Sequence, residues 1–205
     1  MPKQVDHDER RREIGDAVCR VIAARGLDTV SLRHVAAETG VSMGRVQHYF
    51  ATKDEMLMFA FDLISERVEA RLGAVHSDDP ATYLRAILLE LLPLSPAARA
   101  EAPVLAAFLA QAVVEPRFAE VLRRGNDEMV VWLAGLIAAV RPGGDPKRDA
   151  AALLAFADGL MLQVLIGQVS PEAAEELVDH QLSLVLTRSR HTGSGTRSDS
   201  SPARA

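Results

Sequence analysis

Side chains that can bind the edges of DNA bases are concentrated in one short segment, residues 42–53. Arg45 and Gln47 are of the residue types that form paired hydrogen bonds with guanine and adenine in a major groove. Met43 can contact the methyl group of thymine. The segment therefore has side-chain types that would suit sequence-specific recognition of DNA. Arg45 is the first candidate for a guanine contact, while Gln47 and Met43 are either base contacts or side chains that merely fill the groove.

Groups that suit phosphate oxygens surround these candidate base contacts. Hydroxyl groups, cationic side chains and exposed N–H groups at helix starts bind phosphates and so place a protein on DNA without reading its sequence. Tyr49 has the alternative role of a half-buried ring that only supports its helix, and Phe50 is expected in the core. The candidate backbone contacts are Ser31, Arg33, Ser42, His48, Tyr49, Thr52 and Lys53.

Two short helices around a glycine turn are predicted to position these side chains. Ser31 can cap a helix that carries Val35 on its inner face, and Gly40 allows the positive φ angle that closes a turn. Ser42 can cap a second helix, in which Val46 faces inward and the candidate base contacts point outward. This is the layout of a DNA-binding helix-turn-helix.

The segment resembles the TetR family of bacterial transcriptional regulators, and the resemblance extends over roughly residues 8–60. In that family a Gly-Val-Ser turn begins the recognition helix, an aromatic pair ends it, and a lysine anchors a phosphate at the start of the fourth helix. Gln47 departs from the family, which very often has a phosphate-binding tyrosine there, so this position offers a base contact instead. The residues that carry the resemblance are Ser31, Arg33, Val35, Ala36, Gly40, Val41, Ser42, Gly44, His48, Tyr49, Phe50, Lys53 and Glu55.

The composition favours a helical protein whose basic surplus lies in its N-terminal quarter. Apolar side chains make up 48% of the 205 residues and aromatic side chains only 4%, which favours an all-α fold over a β-sandwich or barrel. The net charge of −5 divides into +2 for residues 1–53, with 9 Lys and Arg against 7 Asp and Glu, and −7 for the remainder. The basic part therefore coincides with the segment that is expected to bind DNA.

Helical periodicity predicts two domains joined by a long helix. A first helix is expected from about Asp8 to Arg25, and the long helix from Lys53 to about His76. We predict a helix-turn-helix DNA-binding domain over residues 1–53 and a helical-bundle domain for ligand binding and dimerisation over residues 54–188. Residues 189–205 are rich in Ser, Gly and Arg and are expected to form a disordered tail.

The last two predicted helices, about 146–168 and 171–188, carry the prediction of a homodimer. The first of them is apolar over nearly its whole circumference and needs cover on every side. The resemblance implies that both helices pair with their copies in a second subunit, although they can also form the core of a monomer. A dimer would place two recognition helices about 34–36 Å apart, which suits double-stranded DNA with a palindromic operator.

The second domain has no equally specific motif. The resemblance implies a pocket for a small-molecule effector whose binding changes the separation of the two recognition helices and releases the DNA. Pockets are usually apolar with a few polar groups, and each candidate side chain can instead be ordinary core or interface packing. Asp158, beside Gly159, can also lie where two subunits meet. The candidate lining residues are Phe108, Gln111, Asn126, Met129, Trp132, Asp158 and Gln163.

An enzyme finds no support in the sequence. The six histidines lack the spacing of a metal site, the single cysteine excludes a cysteine zinc cluster, and no glycine-rich phosphate loop is present. We therefore expect no catalytic residue, no metal and no cofactor. A protein-interaction module with a vestigial DNA reader is the third class, and the presence of Arg45, Tyr49 and Lys53 together argues against it.

The sequence also predicts a cytoplasmic protein. Residues 1–12 are polar without the apolar region of a secretory signal, and no uncharged apolar run reaches the ~18 residues of a membrane span. Cys19, the single cysteine, lies among apolar residues and is expected to be a buried structural thiol rather than a redox sensor. The combined prediction is a ligand-responsive transcriptional regulator, with repression rather than activation implied by the resemblance.

Overall fold

A computed structural model describes the backbone of residues 2–187 and the side chains of residues 7–187. This part of the chain contains nine α-helices, no strand, and a short 3-10 helix at Leu27–Thr29, which confirms the all-α prediction. The tail predicted for residues 189–205 lies outside the described residues. The α-helices are α1 (Pro2–Arg25), α2 (Leu32–Thr39), α3 (Met43–Tyr49), α4 (Lys53–Ala74), α5 (Pro80–Glu90), α6 (Pro96–Ala112), α7 (Pro116–Val140), α8 (Pro146–Leu165) and α9 (Pro171–Thr187).

Side-chain caps set the starts of α2, α3 and α4. We call residues 31–53, which include the helix-turn-helix of α2 and α3, the DNA reader. The hydroxyl oxygens of Ser31, Ser42 and Thr52 each accept a hydrogen bond from the backbone N–H three residues later, at 3.3, 3.2 and 3.1 Å. Such caps satisfy N–H groups that have no partner within the helix. Gly40 ends α2 with a φ angle of 70°, a conformation that favours glycine. The predicted caps at Ser31 and Ser42 and the predicted glycine turn are therefore present.

The N-terminal core joins α1, α2, α3 and the first half of α4, and it also takes side chains from the following domain. Val35 of α2 and Val46 of α3 are fully buried in it. Phe108 of α6 and Phe118 of α7 belong to the same cluster. The DNA reader is therefore packed against α6 and α7 of the second domain. A movement of either helix would change the packing of the N-terminal core.

The second core lies between α5, α7, α8 and α9. Leu133 and Ile137 of α7 and Leu153 of α8 are fully buried in it. One side of α8 and α9 remains uncovered, because Leu162, Ile166 and Leu184 expose 44%, 73% and 48% of their surface in the single chain. No helix among the described residues is both long enough and apolar enough to cross a membrane.

Candidate DNA-reading surface and effector cavity

Helix α3 presents the predicted base contacts on its outer face. Val46 is fully buried and fixes the helix on the core, whereas Met43, Arg45 and Gln47 are exposed. Among the described residues, the side chains of Arg45 and Gln47 have no hydrogen-bond or ion-pair partner. Their donors and acceptors are therefore free to bind an external ligand, as direct reading of base edges requires.

The predicted phosphate contacts lie around the same helix. Arg33, on α2, and His48, on α3, are exposed. The capping hydroxyls use their oxygen as an acceptor and keep the O–H to donate. The ammonium nitrogen of Lys53 donates a hydrogen bond of 3.0 Å to the backbone carbonyl of Asp28, and an ammonium group has two further donors for a phosphate. The ten predicted DNA contacts thus lie on α2, on α3, at the start of α4 and at the residues that cap these helices. We refer to these ten residues as the DNA-reading surface.

Helix α1 contributes an imidazole to this surface that residue type and spacing did not predict. The ring of His7 lies 4.8 Å from the ring of Tyr49, the ring of His48 lies 5.3 Å from Tyr49, and the two imidazoles lie 6.3 Å from each other. Tyr49 is half-buried, so it supports its helix while its edge remains accessible. No local signal could have shown the contact, because it depends on how α1 packs against α3.

Arg11 and Glu55 hold the start of α4 against α1, and so fix the end of α3. A guanidinium nitrogen of Arg11 donates to one carboxylate oxygen of Glu55 at 2.9 Å. The other oxygen accepts the backbone N–H of Ala51, also at 2.9 Å. The guanidinium lies over the rings of Phe50 and Phe59, at 5.1 and 4.5 Å from their centres. Phe50 itself is fully buried, in agreement with its expected place in the core.

A cavity of about 400 Å³ lies in the second domain, between α4, α6, α7 and α8. This volume falls in the range of small-molecule sites. Three of the residues predicted to line a pocket, Asn126, Met129 and Asp158, line this cavity. The complete lining is Phe61, Ser65, Val68, Glu69, Leu105, Leu109, Leu122, Arg123, Gly125, Asn126, Met129, Leu154 and Asp158.

The other four predicted lining residues do not border this cavity. Phe108 is buried between the rings of Phe61 and Phe118, at 5.1 and 5.5 Å. Trp132 lies edge-on to the ring of Tyr83 at 6.5 Å. Gln111 lies near the C-terminal end of α6, and Gln163 lies near the C-terminal end of α8.

Acidic groups dominate the charge of the cavity. Asp158 of α8 and Glu69 of α4 contribute carboxylates, and neither has a hydrogen-bond or ion-pair partner among the described residues. Burial raises the pKa of Asp158 above its usual range, because a partly apolar setting disfavours the charged carboxylate. Arg123 is already engaged, since its guanidinium donates to the carboxylate of Glu120 at 2.6 Å and to a backbone carbonyl at 3.2 Å.

Cys19 behaves as the structural thiol that its neighbours predict. It is buried, and its sulfur donates to the backbone carbonyl of Ala60 at 3.7 Å. Burial raises the pKa of this thiol to about 11, so the reactive thiolate is disfavoured near neutral pH. The described residues contain no group of three His, Cys, Asp or Glu side chains that could hold a metal ion.

Two family models match the chain. The family model for "Bacterial regulatory proteins, tetR family" matches residues 14–58, which include the recognition helix. The family model for "BetI-type transcriptional repressor, C-terminal" matches residues 80–187. The first match covers the DNA reader, and the second covers most of the domain that contains the cavity.

Similar proteins are transcriptional regulators along most of the chain. The regulator PksA of Bacillus subtilis is 34% identical over 177 residues, which are 82% of this chain and 85% of that protein. A transcriptional regulator from Rhodococcus has a TM-score of 0.80 and 36% identity over 86% of this chain and 95% of its own. A putative regulator from Saccharomonospora viridis, solved in complex with choline, has a TM-score of 0.72 and 25% identity over 88% and 97%. The family's proteins are regulators rather than enzymes, and this chain belongs to the TetR family of bacterial transcriptional regulators, with a C-terminal domain of the BetI type.

Proposed function

We propose that this protein is a cytoplasmic repressor that binds a palindromic operator as a homodimer and is released by a small molecule. The observation that carries the proposal is the position of α4. This helix begins at Lys53, directly after the DNA-reading surface, and Phe61 and Glu69 along it border the cavity. A single rigid element therefore contacts both the reader and the site where an effector would bind.

DNA recognition in this proposal follows from the outer face of α3. Arg45 binds a guanine in the major groove, and Gln47 and Met43 contact neighbouring bases. Phosphate contacts on both sides of the groove fix the helix in place. Ser31, Arg33, Ser42, His48, Tyr49, Thr52 and Lys53 supply these backbone contacts, since their hydroxyl and cationic groups surround α3.

The homodimer is supported by the uncovered face of α8 and α9. Gly159 and Leu162 of α8, and Ile166 directly after its end, follow one another at helical spacing on the exposed side. Leu184 extends the apolar surface onto α9. Several large apolar side chains left exposed on two helices that pack against each other favour an interaction site at this face. A two-fold axis through it would relate two α3 helices and hence two half-sites of an operator.

Release in this proposal is a shift between two arrangements of the dimer. A ligand that fits the cavity better in one arrangement of α4 and α7 increases the population of that arrangement. The arrangement that it favours has the two readers at a spacing that does not match the operator. The Saccharomonospora relative, which holds choline, supports the presence of a small-molecule site in proteins of this architecture.

Selection of random double-stranded DNA by the full-length protein tests the proposal, combined with sedimentation analysis of the free protein and of the complex. We expect a two-fold symmetric site bound by two chains. Affinity for the selected site should exceed affinity for unrelated DNA by at least about 10³-fold at physiological salt. A protein that remains monomeric, or that enriches no site above non-specific binding, would contradict the proposal.

A further inference from the structure

Two carboxylates that face the same cavity from different helices set its chemistry. Glu69 lies on α4 and Asp158 lies on α8, and both border the cavity without a partner among the described residues. An unpaired carboxylate in a partly buried setting loses hydration without gaining a compensating hydrogen bond. Asp158 is half-buried and is such a group, while Glu69 is exposed and adds a second carboxylate to the lining. A cation in the cavity would therefore meet two carboxylates that have no partner of their own among the described residues.

The one basic side chain in the lining does not supply that cation. Arg123 is held by its own helix, because its guanidinium donates to the Glu120 carboxylate one turn earlier and to the carbonyl of Ala119. Its positive charge is therefore offset by Glu120 and directed along α7. The field inside the cavity is consequently negative.

The rest of the lining consists of apolar side chains and a few neutral hydrogen-bonding side chains. Leu105, Leu109 and Met129 form apolar walls, while Ser65 and Asn126 offer neutral hydrogen-bonding groups. Phe61 is the one aromatic side chain in this lining, and its ring packs against Phe108 at 5.1 Å. Sites for quaternary ammonium ions use several aromatic faces around the cation, whereas a carboxylate binds best to a cation that can donate N–H bonds.

We propose that the effector is a primary or secondary amine in its protonated form, whose ammonium group binds Asp158 and Glu69 and whose apolar body fills the cavity. The regulatory meaning of this binding rests on the function proposed above. The binding itself requires no DNA, so the two proposals can fail separately.

Calorimetric titration of the full-length protein with four probes that share a six-carbon chain tests the ligand class. Hexylamine has the ammonium donors, N,N,N-trimethylhexylammonium has the charge without donors, hexanol has neither charge nor ammonium, and hexanoate has the opposite charge. We expect hexylamine to bind most tightly, at least about tenfold more tightly than the quaternary probe. Hexanol should bind more weakly still, and hexanoate should not bind.

Substitution of the two carboxylates locates the binding. Asp158→Asn and Glu69→Gln keep the shape of each side chain and remove its charge, and each should weaken hexylamine binding at least about tenfold. Exposed residues of the same types provide matched controls: Asp127→Asn and Glu176→Gln should leave the affinity unchanged. Thermal melting of each variant shows that it is folded, and if one carboxylate variant fails to fold, the other still tests the site.

Three results would overturn the inference. Absence of hexylamine binding at millimolar concentration, equal binding of hexylamine and the quaternary probe, or unchanged affinity in both carboxylate variants would each do so. If the protein nevertheless selects a symmetric operator, the proposed regulatory function survives and only the ligand class is wrong. If amines bind the cavity and no operator is selected, the ligand class survives and the regulatory function is wrong.

Discussion

Arg117, in the first turn of α7, forms an ion pair with Asp54, in the first turn of α4. The hydrogen bond from the guanidinium lowers the pKa of the Asp54 carboxyl below its usual range, so the pair is charged at neutral pH. Helix α7 continues from this contact to the cavity, while α4 begins beside Lys53 at the DNA-reading surface. The pair therefore joins a helix of the effector cavity to the DNA-binding end of the molecule.

Arg117→Gln should weaken the response to an effector without unfolding the protein. The pair is exposed to water, and exposed pairs contribute little to stability, so we expect only a small change in Tm. The release ratio, which is the operator affinity without a releasing compound divided by the affinity with it, should fall towards one. A movement of α7 is then no longer transmitted to α4 through this ion pair. The exchanged pair Asp54→Arg with Arg117→Asp should recover part of the response. Arg124→Gln, on the exposed side of the same helix, is the control, and equal release ratios in all variants would contradict the coupling.

Arg45→Ala should relax the sequence preference at one base in each half-site. A lost bidentate contact to guanine corresponds to roughly 1–3 kcal/mol of discrimination. Binding to the selected site, compared with sites changed at each position, measures the effect. Arg148→Ala, at an exposed position on α8, should leave both affinity and preference unchanged. If Arg45→Ala weakens all sequences equally, Arg45 is a phosphate contact and not a base reader.

Lys53→Gln should weaken binding to every sequence by a similar factor. An ammonium group that neutralises a phosphate releases counterions when DNA binds, so its loss reduces the dependence of affinity on salt. The slope of log K against log salt should fall by about 1 for each subunit. The hydrogen bond from Lys53 to Asp28 is also lost in this variant, so a change in Tm with an unchanged slope would show that Lys53 has a structural role only.

The parts of the site that were predictable from the sequence depend on local interactions. Ser31, Gly40 and Ser42 act on neighbours within a few residues, and so their caps and turn follow from residue type and spacing. The exposure of Arg45 follows in the same way from the burial of Val46 on the opposite face of α3. Local rules of this kind determine a helix and its faces without reference to the rest of the fold.

The parts that were not predictable depend on contacts between distant helices. His7 and Tyr49 are in ring contact although they lie on α1 and α3, and no periodicity in either helix contains that information. Glu69 is an exposed charge on α4, and only the placement of α7 and α8 shows that it borders a cavity. Phe108 is bulky and lies in an apolar helix, and these properties predict that its ring is buried. They do not show whether the ring packs in the N-terminal core or against the cavity.

Leu162→Glu combined with Ile166→Glu should convert the dimer into a monomer. Both side chains are exposed, Leu162 on α8 and Ile166 directly after its end, where two charges from each subunit would have to be buried against their copies. Sedimentation should show one chain per particle, and affinity for a two-half-site operator should fall at least about 10²-fold because the second half-site is no longer bound from the same particle. Val113→Glu, at a position that is 84% exposed between α6 and α7, is the control. A double variant that still sediments as a dimer would place the interface elsewhere.

Asp158→Asn should stabilise the ligand-free protein. Because burial raises the pKa of Asp158, the folded chain keeps this proton at pH values where the unfolded chain has lost it. The free energy of unfolding therefore falls as the pH rises from the ordinary value of 3.8 through the raised pKa, and at neutral pH the charged carboxylate opposes folding. Removal of the charge should recover about 1 kcal/mol, the low end for an unpaired buried group since Asp158 is partly exposed, which corresponds to a rise in Tm of about 2–4 °C.

Thermal melts of the wild type and of Asp158→Asn across this pH range check the sign of the effect. The difference in Tm between the two proteins should be largest at neutral pH and should vanish below the ordinary pKa of an aspartate, where both side chains are neutral. Glu69 and Arg123 also border the cavity, and both are present in the wild type and in Asp158→Asn, so the two proteins differ only at residue 158. Asp127→Asn, at an exposed position of α7, should melt like the wild type. A lower Tm for Asp158→Asn at neutral pH would mean that the carboxylate is held by partners within the folded protein. A higher Tm would instead mean that the folded chain maintains an unfavourable charge, as expected where a ligand must bind.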